Sequence, residues 1–377
     1  MKANNPHNPF LISGYFSPEY FCDRIDETTK IISALDNDRN ISLISPRRFG
    51  KTGLVQHVFD AIRHKDEHVL CIYMDIYSTQ NLNDFVKVFA EEVLSKVHGG
   101  VENAIKKIAS YFKSFRPLLS YDPISGNPEL SIRIDTDSTE ISLKEIVAYL
   151  QQSKKRCYIA IDEFQQVADY PEKGTEALLR SYIQFLPNVK FIFAGSRQHI
   201  MNEIFLSIKR PFYQSTQIMS IGVIQKEAYF SFVIKHFQKN GFSFDKKCFD
   251  ELYDLLDGHT WYMQAVLNRL YEYRQDIQKP IEIYNAVGEL LDENAYTYQE
   301  FLYAYTLVQK TLIKAVAKEK VVTRIHSGEF ISKYGLKNSS SVSRALNSLL
   351  DSELIYKSDK GYMVYDRFFG LWLSRLR

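Results

Sequence analysis

The stretch SPRRFGKTG, residues 45–53, contains a glycine, a lysine and a threonine in direct succession. Gly50 lets the backbone turn tightly, Lys51 can reach the β- and γ-phosphate oxygens, and the Thr52 hydroxyl can ligate Mg²⁺. Backbone N–H groups at the start of a following helix would complete the anion site. The sequence therefore predicts a loop that binds nucleotide phosphates together with Mg²⁺. Its residues are Pro46, Arg47, Arg48, Phe49, Gly50, Lys51, Thr52 and Gly53.

The loop departs from the pattern G-x-x-x-x-G-K-[ST] at one place, because Ser45 stands where the first glycine is expected. Serine lacks the freedom of glycine at positive φ. Pro46 follows, however, and biases Ser45 toward an extended backbone, which can end a strand without a positive φ. We expect the substitution to weaken the pattern more than the chemistry. The alternative is a chance GKT in a basic loop.

The segments on either side favour a nucleotide site. ISLIS, residues 41–45, is a short apolar run rich in β-branched residues and predicts a buried strand. After the loop, apolar residues recur at i, i+3, i+4 and i+7, which predicts a helix with one buried face. They are Val55, Val58, Phe59 and Ile62. Strand, loop and helix in this order are the setting in which GKT binds phosphate.

Two further predicted strands end in polar side chains. CYIAIDE, residues 157–163, ends in an aspartate that can support Mg²⁺ and a glutamate that can polarise the attacking water. VKFIFAGS, residues 189–196, ends in a serine that can sense the γ-phosphate. The carboxyl ends of parallel strands meet at one edge of a sheet, where open α/β folds bind ligands. The predicted catalytic residues are Glu163, Lys51 and Ser196, and the predicted metal ligands are Thr52 and Asp162.

With these residues the chain resembles P-loop ATPases of the AAA+/STAND type, and more closely the prokaryotic archaeal-type ATPase family. The most specific segments are YIAIDEFQQ (158–166) and FIFAGSRQHIMNEIF (191–205). Weaker similarity lies in YFCDRIDE (20–27), RPFYQS (210–215) and GHTWYMQAVLNRLY (258–271). The resemblance covers nearly the whole chain and implies ATP and ADP as the nucleotides. It also implies an α/β fold: an ASCE-type parallel sheet of strand order 5-1-4-3-2, then an α-helical lid domain and a C-terminal winged helix.

The resemblance suggests further roles for single residues. FCDRIDE resembles a hydrophobic-x-G-R-x-x-E segment near the adenine, which makes Arg24 a candidate nucleotide contact, with Asp23 in place of the glycine. GHTWYMQ resembles a Gly-His-Pro-aromatic segment of the lid, with Thr260 in place of the proline. No arginine finger is assigned, and a surface or salt-bridge role is favoured for each candidate. The candidates are Arg180, Arg197 and Arg210.

The length of 377 residues predicts more than one domain. We predict a P-loop ATPase domain at 1–221, a helical lid at 222–304 and a winged helix-turn-helix domain at 305–377. A polar and apolar alternation around Ser-Gly-Asn-Pro predicts a hairpin inserted at about 115–136. The predicted lid helices span 225–240, 246–256, 260–275 and 280–300.

Composition bounds the class of protein. Hydrophobic residues make up 45% and charged residues 24% of the chain, which is typical of a folded globular protein. The four cysteines lie far apart without a CxxC pair, which argues against a metal site and against a disulfide-stapled secreted protein. Cys71 and Cys157 lie in apolar runs and are expected to be buried and reduced. No apolar leader and no run of 18 apolar residues occurs, so we expect a cytoplasmic location and no membrane partner.

Positive charge is concentrated at the carboxyl-terminal end. Residues 305–377 contain eight Lys and five Arg against six Asp and Glu, a net charge of +7. Because the whole chain carries +2, the remainder carries −5. This asymmetry points to an acidic partner such as DNA, or to a solvated basic face. The predicted second helix of the winged helix offers Ser339, Ser340, Ser343, Arg344 and Asn347.

Three functions are consistent with these patterns. The preferred one is a slow Mg²⁺-dependent ATPase that acts as a nucleotide-controlled switch and signals through an unidentified protein partner, with or without homo-oligomer formation. The second is a DNA-associated ATPase or regulator that uses the basic winged helix. The third is a module that holds nucleotide with negligible hydrolysis, against which the Asp162–Glu163 pair argues.

Overall fold

Strands and helices alternate through the first half of the chain and helices dominate the second. The structure, a computed structural model, describes residues 5–97, 112–121, 128–153, 155–358 and 360–376. Its strands are β1 (Ile41–Ile44), β2 (Leu70–Asp75), β3 (Phe115–Tyr121), β4 (Pro128–Ile134), β5 (Cys157–Asp162), β6 (Val189–Gly195), β7 (Gln217–Ser220), β8 (Ile355–Ser358) and β9 (Gly361–Val364). Its α-helices are α1 (Ile25–Asp36), α2 (Lys51–Lys65), α3 (Leu82–Val97), α4 (Thr139–Gln152), α5 (Thr175–Ile183), α6 (Gln198–Leu206), α7 (Lys226–Lys239), α8 (Lys246–Leu255), α9 (Thr260–Glu272), α10 (Pro280–Glu293), α11 (Ala295–Tyr303), α12 (Leu307–Glu319), α13 (Gly328–Lys333), α14 (Ser339–Asp351) and α15 (Arg367–Arg375).

Five strands form a parallel sheet in the order β7-β1-β6-β5-β2. Counted by their order along the chain within this sheet, they read 5-1-4-3-2, which confirms the predicted fold class. β1 and β5 are buried along their whole length, as expected for central strands covered on both faces. The edge strand β7 was not indicated by the pattern, because its four residues QIMS include a single buried side chain, Met219.

Helices cover both faces of this sheet. On one face, α1 and α2 bury Leu35, Leu54 and Val58 against β1. On the other face, α3 and α4 bury Phe89 and Ile146 against β2, β5 and β6. Because all five strands are parallel, β1, β5 and β6 direct their carboxyl ends to the same edge, where the predicted site residues follow. The predicted burial of Cys71 and Cys157 in this core is confirmed.

The predicted insertion contains an antiparallel strand pair. β3 and β4 pair from Phe115 opposite Ile134 to Tyr121 opposite Pro128. The Ser-Gly-Asn part of the predicted turn, at 125–127, lies outside the described residues.

The contacts divide the chain into two compact units. The first, Ser13–Ile224, contains the parallel sheet and is called the ATPase unit below. The second combines Met1–Ile12 with Gln225–Arg377 and contains α7 to α15 and the β8–β9 hairpin. The finer boundaries, at 221/222 and 304/305, remain predictions.

The second unit is helical apart from its hairpin. The predicted helix 280–300 is in fact two helices, because α10 ends at Glu293 and α11 begins at Ala295. The helix-turn-helix of α13 and α14 turns at Gly335, whose φ of +63° suits glycine. The pair β8–β9 follows, and the terminal helix α15 was not predicted. Among the described residues, no helix is both long and apolar enough to cross a membrane.

Candidate active site

The predicted phosphate loop connects β1 to α2, as the sequence pattern requires. Gly50 has φ 89° and ψ 24°, a left-handed conformation that favours glycine, and α2 begins at the next residue. Ser45 is fully buried and is not among the described residues with positive φ. The position of the missing glycine therefore needs no left-handed backbone here. Arg48, with φ 66°, supplies the second left-handed turn of the loop.

Lys51 points back into the loop that precedes it. Its ammonium group donates to the carbonyl oxygens of Ser45 at 3.1 Å and Pro46 at 3.2 Å, and the residue is 6% exposed. Burial lowers the pKa of Lys51, while the carboxylates of Asp162 and Glu163 act in the opposite direction. A buried cation bonded to neutral carbonyls will bind an anion more strongly than it binds those carbonyls.

Asp162 lies at the end of β5 and is 3% exposed. Its Oδ2 accepts hydrogen bonds from the Thr52 hydroxyl at 2.6 Å and from the Tyr73 hydroxyl at 2.8 Å. Its Oδ1 accepts from the backbone N–H of Glu163 at 3.0 Å. The two predicted metal ligands are therefore in direct contact.

Glu163 turns away from the strand in a left-handed conformation, with φ 56° and ψ 38°. Its Oε2 accepts from the Ser196 hydroxyl at 2.8 Å and from the Gln165 side-chain amide. The structure thus brings Glu163 and Ser196 together at the ends of two neighbouring strands, β5 and β6.

Gln165 is a buried polar residue that the sequence pattern did not single out. It is 2% exposed, and its Oε1 has no hydrogen-bond partner. A Cβ built on Gly195 would clash with this oxygen and would lie 2.6 Å from Cγ of Met201. The absence of a side chain at Gly195 therefore makes room for the amide that contacts Glu163. The sequence feature that could have pointed to Gln165 is the pair of glutamines in IDEFQQ, which follows the Asp-Glu strand end.

The other residues of the loop are more accessible. Arg47 and Arg48 are exposed, Pro46 and Phe49 are half-buried, and the third residue of α2, Gly53, would place a Cβ 3.3 Å from the ring of Phe21. Glycine at this position thus keeps α2 close to the segment that precedes α1.

Arg24 lies against the same loop without facing solvent. It is 4% exposed and donates to the carbonyl oxygens of Phe49 at 3.3 Å and Gly222 at 2.7 Å, and to Glu27 at 2.8 Å. Asp23 has φ 55°, the left-handed conformation that the glycine of the resembling segment would favour, and aspartate tolerates it better than most residues. The guanidinium of Arg24 binds protein carbonyls here, and its contact with nucleotide remains a prediction.

The three arginine-finger candidates all have partners within the ATPase unit. Arg210 forms ion pairs with Glu176 and Glu203, each at 3.2 Å. Arg197 pairs with Asp169, and Arg180 donates to Gln184 at 2.6 Å. Arg197 and Arg210 thus form salt bridges and Arg180 an exposed hydrogen bond, while the assignment of an arginine finger remains open.

The donor set fits Mg²⁺ bound with a nucleotide. The hydroxyl of Thr52 and the carboxylate of Asp162 are adjacent oxygen ligands, which Mg²⁺ prefers. Within the part of the chain that the structure describes, no group of three or more His, Cys, Asp or Glu residues could hold a metal alone. A cation held by Thr52 and Asp162 would complete its shell with phosphate and water, as Mg²⁺ does in nucleotide sites.

Comparisons with known proteins identify two segments of the chain. The model of a family described as "ATPase domain predominantly from Archaea" matches residues 21–266. A model described as "Probable winged helix domain" matches residues 296–375. The search of curated proteins found no match.

Several solved structures share the fold at low sequence identity. The Walker-type ATPase PABY2304 of Pyrococcus abyssi is 16% identical, with a TM-score of 0.66 over 97% of this chain and 99% of that one. The Aeropyrum pernix ORC2 protein, in ADPNP and ADP complexes, is 14% identical, with a TM-score of 0.57 over 97% and 95%. The Aeropyrum pernix ORC1 protein, in complex with DNA, is 13% identical, with a TM-score of 0.55 over 98% and 96%. At these identities the likeness concerns the fold alone.

Proposed function

The chain belongs to the ATPase family described as predominantly from Archaea, and from this membership we propose that it is a Mg²⁺-dependent, nucleotide-controlled switch that signals through protein contacts. Its membership makes it an ATP-binding P-loop ATPase with a winged helix. The switch, the Mg²⁺ requirement and the roles of single residues are the proposed part.

Each predicted site residue has a role in hydrolysis. Lys51 supplies a preorganised positive charge for the terminal phosphates. Thr52 and Asp162 would hold Mg²⁺, which neutralises phosphate charge when bound. Glu163 accepts a proton from the attacking water while the bond from water oxygen to the γ-phosphorus forms and the bond to ADP breaks. Ser196 contacts Glu163 in the present structure and would respond to the γ-phosphate.

The hydrogen bonds of Arg24 support the proposed switch. One of its guanidinium nitrogens bonds both to Phe49, in the phosphate loop, and to Gly222, two residues before the ATPase unit ends at Ile224. A change in the loop backbone on nucleotide binding would therefore alter a hydrogen bond to the segment that leads into the second unit. A ligand shifts such an equilibrium only through contacts that differ between two states, and the γ-phosphate would provide them.

Hydrogen exchange tests the switch. We expect a non-hydrolysable ATP analogue, compared with ADP, to change amide protection within Gln225–Arg377 as well as around the loop. Lys51→Ala should remove both effects because it removes the phosphate contact. Protection changes confined to Ser13–Ile224 would contradict the switch while leaving ATP binding intact.

A DNA-associated role is the second candidate, and the exposed cations of the winged helix favour it. They include Lys337, Arg344, Lys357 and Lys360. The Aeropyrum pernix ORC1 protein, which shares the fold, was solved in complex with DNA. Each phosphate contact contributes about one unit to the slope of binding against salt.

The DNA role has its own test. The double variant Lys337→Ala/Arg344→Ala should weaken duplex binding and lower the salt slope by about two. Lys30→Ala, an exposed lysine of the ATPase unit, serves as the control and should leave DNA binding unchanged. Wild-type protein that does not bind duplex DNA at low salt would exclude this role.

A further inference from the structure

The carboxylate of Asp162 has one side-chain donor that the roles above do not use. Besides Thr52, the hydroxyl of Tyr73 donates to Oδ2 at 2.8 Å. This is a normal length for a hydrogen bond from a hydroxyl to a carboxylate. The second donor comes from β2, the neighbouring strand, and does not belong to the phosphate loop or to the Asp-Glu strand end.

The course of the Tyr73 side chain follows from the strand register. Tyr73 pairs with Ala160 and Asp75 with Asp162, so the phenol extends along the strands from its own position to the tip of β5. Its ring packs against the apolar cluster that includes Cys71 and Leu54, the latter from α2. The ring is thus anchored in the core, and only the hydroxyl reaches the site.

We infer that Tyr73 is a positioning residue that fixes the carboxylate of Asp162 for Mg²⁺ before the metal and nucleotide arrive. The inference rests on the proposed Mg²⁺ site. Thr52 is itself a proposed ligand, so its hydrogen bond to Asp162 would change if its hydroxyl bound the metal. The bond from Tyr73 comes from the side of the core and does not depend on the ligand. Partners of this kind orient metal ligands and typically change metal affinity about 10- to 100-fold when removed.

The same strands provide a matched control. The hydroxyl of Tyr158, on β5, donates to the carboxylate of Asp36 at 3.1 Å, and its ring belongs to the same apolar cluster. Tyr158→Phe thus removes the same kind of hydrogen bond from the same core. Asp36 is the last residue of α1 and is not a predicted ligand.

The experiment measures ATP affinity in EDTA and at saturating Mg²⁺, and the Mg²⁺ concentration for half-maximal hydrolysis. For Tyr73→Phe we expect unchanged affinity in EDTA, about 10-fold less enhancement of affinity by Mg²⁺, and a half-maximal Mg²⁺ concentration about 10-fold higher. Tyr158→Phe should match wild type in all three. Asp162→Asn should abolish the Mg²⁺ enhancement.

The outcomes separate the inference from the proposed function. Tyr73→Phe that responds to Mg²⁺ like wild type, or that loses affinity equally in EDTA and in Mg²⁺, overturns the inference and leaves the site assignment standing. Wild type without any Mg²⁺ enhancement would instead overturn the proposed Mg²⁺ site itself. Unchanged affinity in EDTA also shows that the variant is folded.

Discussion

At the scale of single residues, Lys51 combines burial with a positive charge. Its ammonium is held by two backbone carbonyls, and burial lowers its pKa from the ordinary value of 10.5. The nucleotide-free protein thus tolerates a charge in an unfavourable environment, as sites built to bind anions do. Such strain is commonly relieved by substitutions that abolish function.

We expect Lys51→Met to stabilise the nucleotide-free protein by about 1 kcal/mol and to abolish stabilisation by ATP. ATP at 100 times its dissociation constant should stabilise wild type by about 2.7 kcal/mol.

Because the folded-state pKa of Lys51 lies below its unfolded value, the unfolded chain binds more protons between the two values. Wild-type stability should therefore gain from rising pH in that window, and Lys51→Met should lack this gain. Denaturant unfolding from pH 7 to 10.5 measures both effects. Lower stability of the nucleotide-free variant would contradict the first, and equal pH dependence of the two proteins would contradict the second.

Position 45, in contrast, should accept either serine or glycine without a change in function. It is buried without positive φ, so glycine would bring no conformational benefit. We expect Ser45→Gly to leave ATP affinity within about twofold of wild type and to lower stability by about 0.5–1 kcal/mol through backbone entropy. Gly50→Ala, at φ 89°, should instead weaken ATP binding strongly. ATP titration and thermal unfolding distinguish the two variants. A large gain in ATP affinity for Ser45→Gly would contradict the prediction, because it would show that glycine at this position improves binding.

At the scale of elements, the close approach of β6 to the 3-10 helix Phe164–Asp169 determines where Glu163 points. Gly195 ends β6, and its missing side chain leaves the space that Gln165 and Met201 occupy. This packing couples a strand end to the proposed catalytic base.

Gly195→Ala should therefore lower stability by about 1–3 kcal/mol, as overpacking does, and should also slow ATP hydrolysis. Gly288→Ala in α10 is the control, since its nearest atoms are those of Arg375 at 3.8 Å or more. That change should stabilise by about 0.5–1 kcal/mol, because alanine is the better helix former. Unfolding and turnover assays test the pair, and Gly195→Ala with normal turnover would remove the proposed link to Glu163.

Elements also differ in how far the sequence could predict them. β1, β5 and β6 are apolar runs that end in polar residues, so their positions and their common edge were predictable. β7 has a single buried residue and no pattern to recognise. The break between α10 and α11 at Asn294 lies within continuous helical periodicity. Tyr73 was missed because its role depends on strand register, which the local sequence does not contain. α15 could have been predicted, because apolar residues recur there at helical spacing: Phe368, Phe369, Trp372 and Leu373.

At the scale of the whole molecule, the second unit combines the segment that ends at Ile12 with Gln225–Arg377. Phe10 is fully buried against Phe232, Phe237 and Tyr271. The backbone carbonyl of Phe10 also accepts a hydrogen bond from the side chain of Asn268 at 2.7 Å. Phe10 is therefore part of the helical core of this unit.

Phe10→Ala should destabilise this unit by about 3–5 kcal/mol, the usual effect of removing a buried phenylalanine. Ile12→Ala is the control and should cost less than about 1 kcal/mol, because Ile12 is 49% exposed and the substitution keeps the backbone carbonyl that accepts from Trp261. Denaturant unfolding followed by hydrogen exchange in Gln225–Arg377 measures the difference. Equal effects of the two variants would show that this contact contributes little.

The whole account depends on ATP turnover through Glu163, and the most direct measurement is Mg²⁺-dependent ATP hydrolysis by wild type and Glu163→Gln, with and without duplex DNA. Glu67→Gln, an exposed glutamate of the same unit, is the control. We expect wild type and Glu67→Gln to hydrolyse ATP only with Mg²⁺, and Glu163→Gln to bind ATP normally but to turn over at least about 100-fold more slowly. Wild-type turnover in Glu163→Gln, or wild-type protein that does not bind ATP, would contradict the assignment of this site.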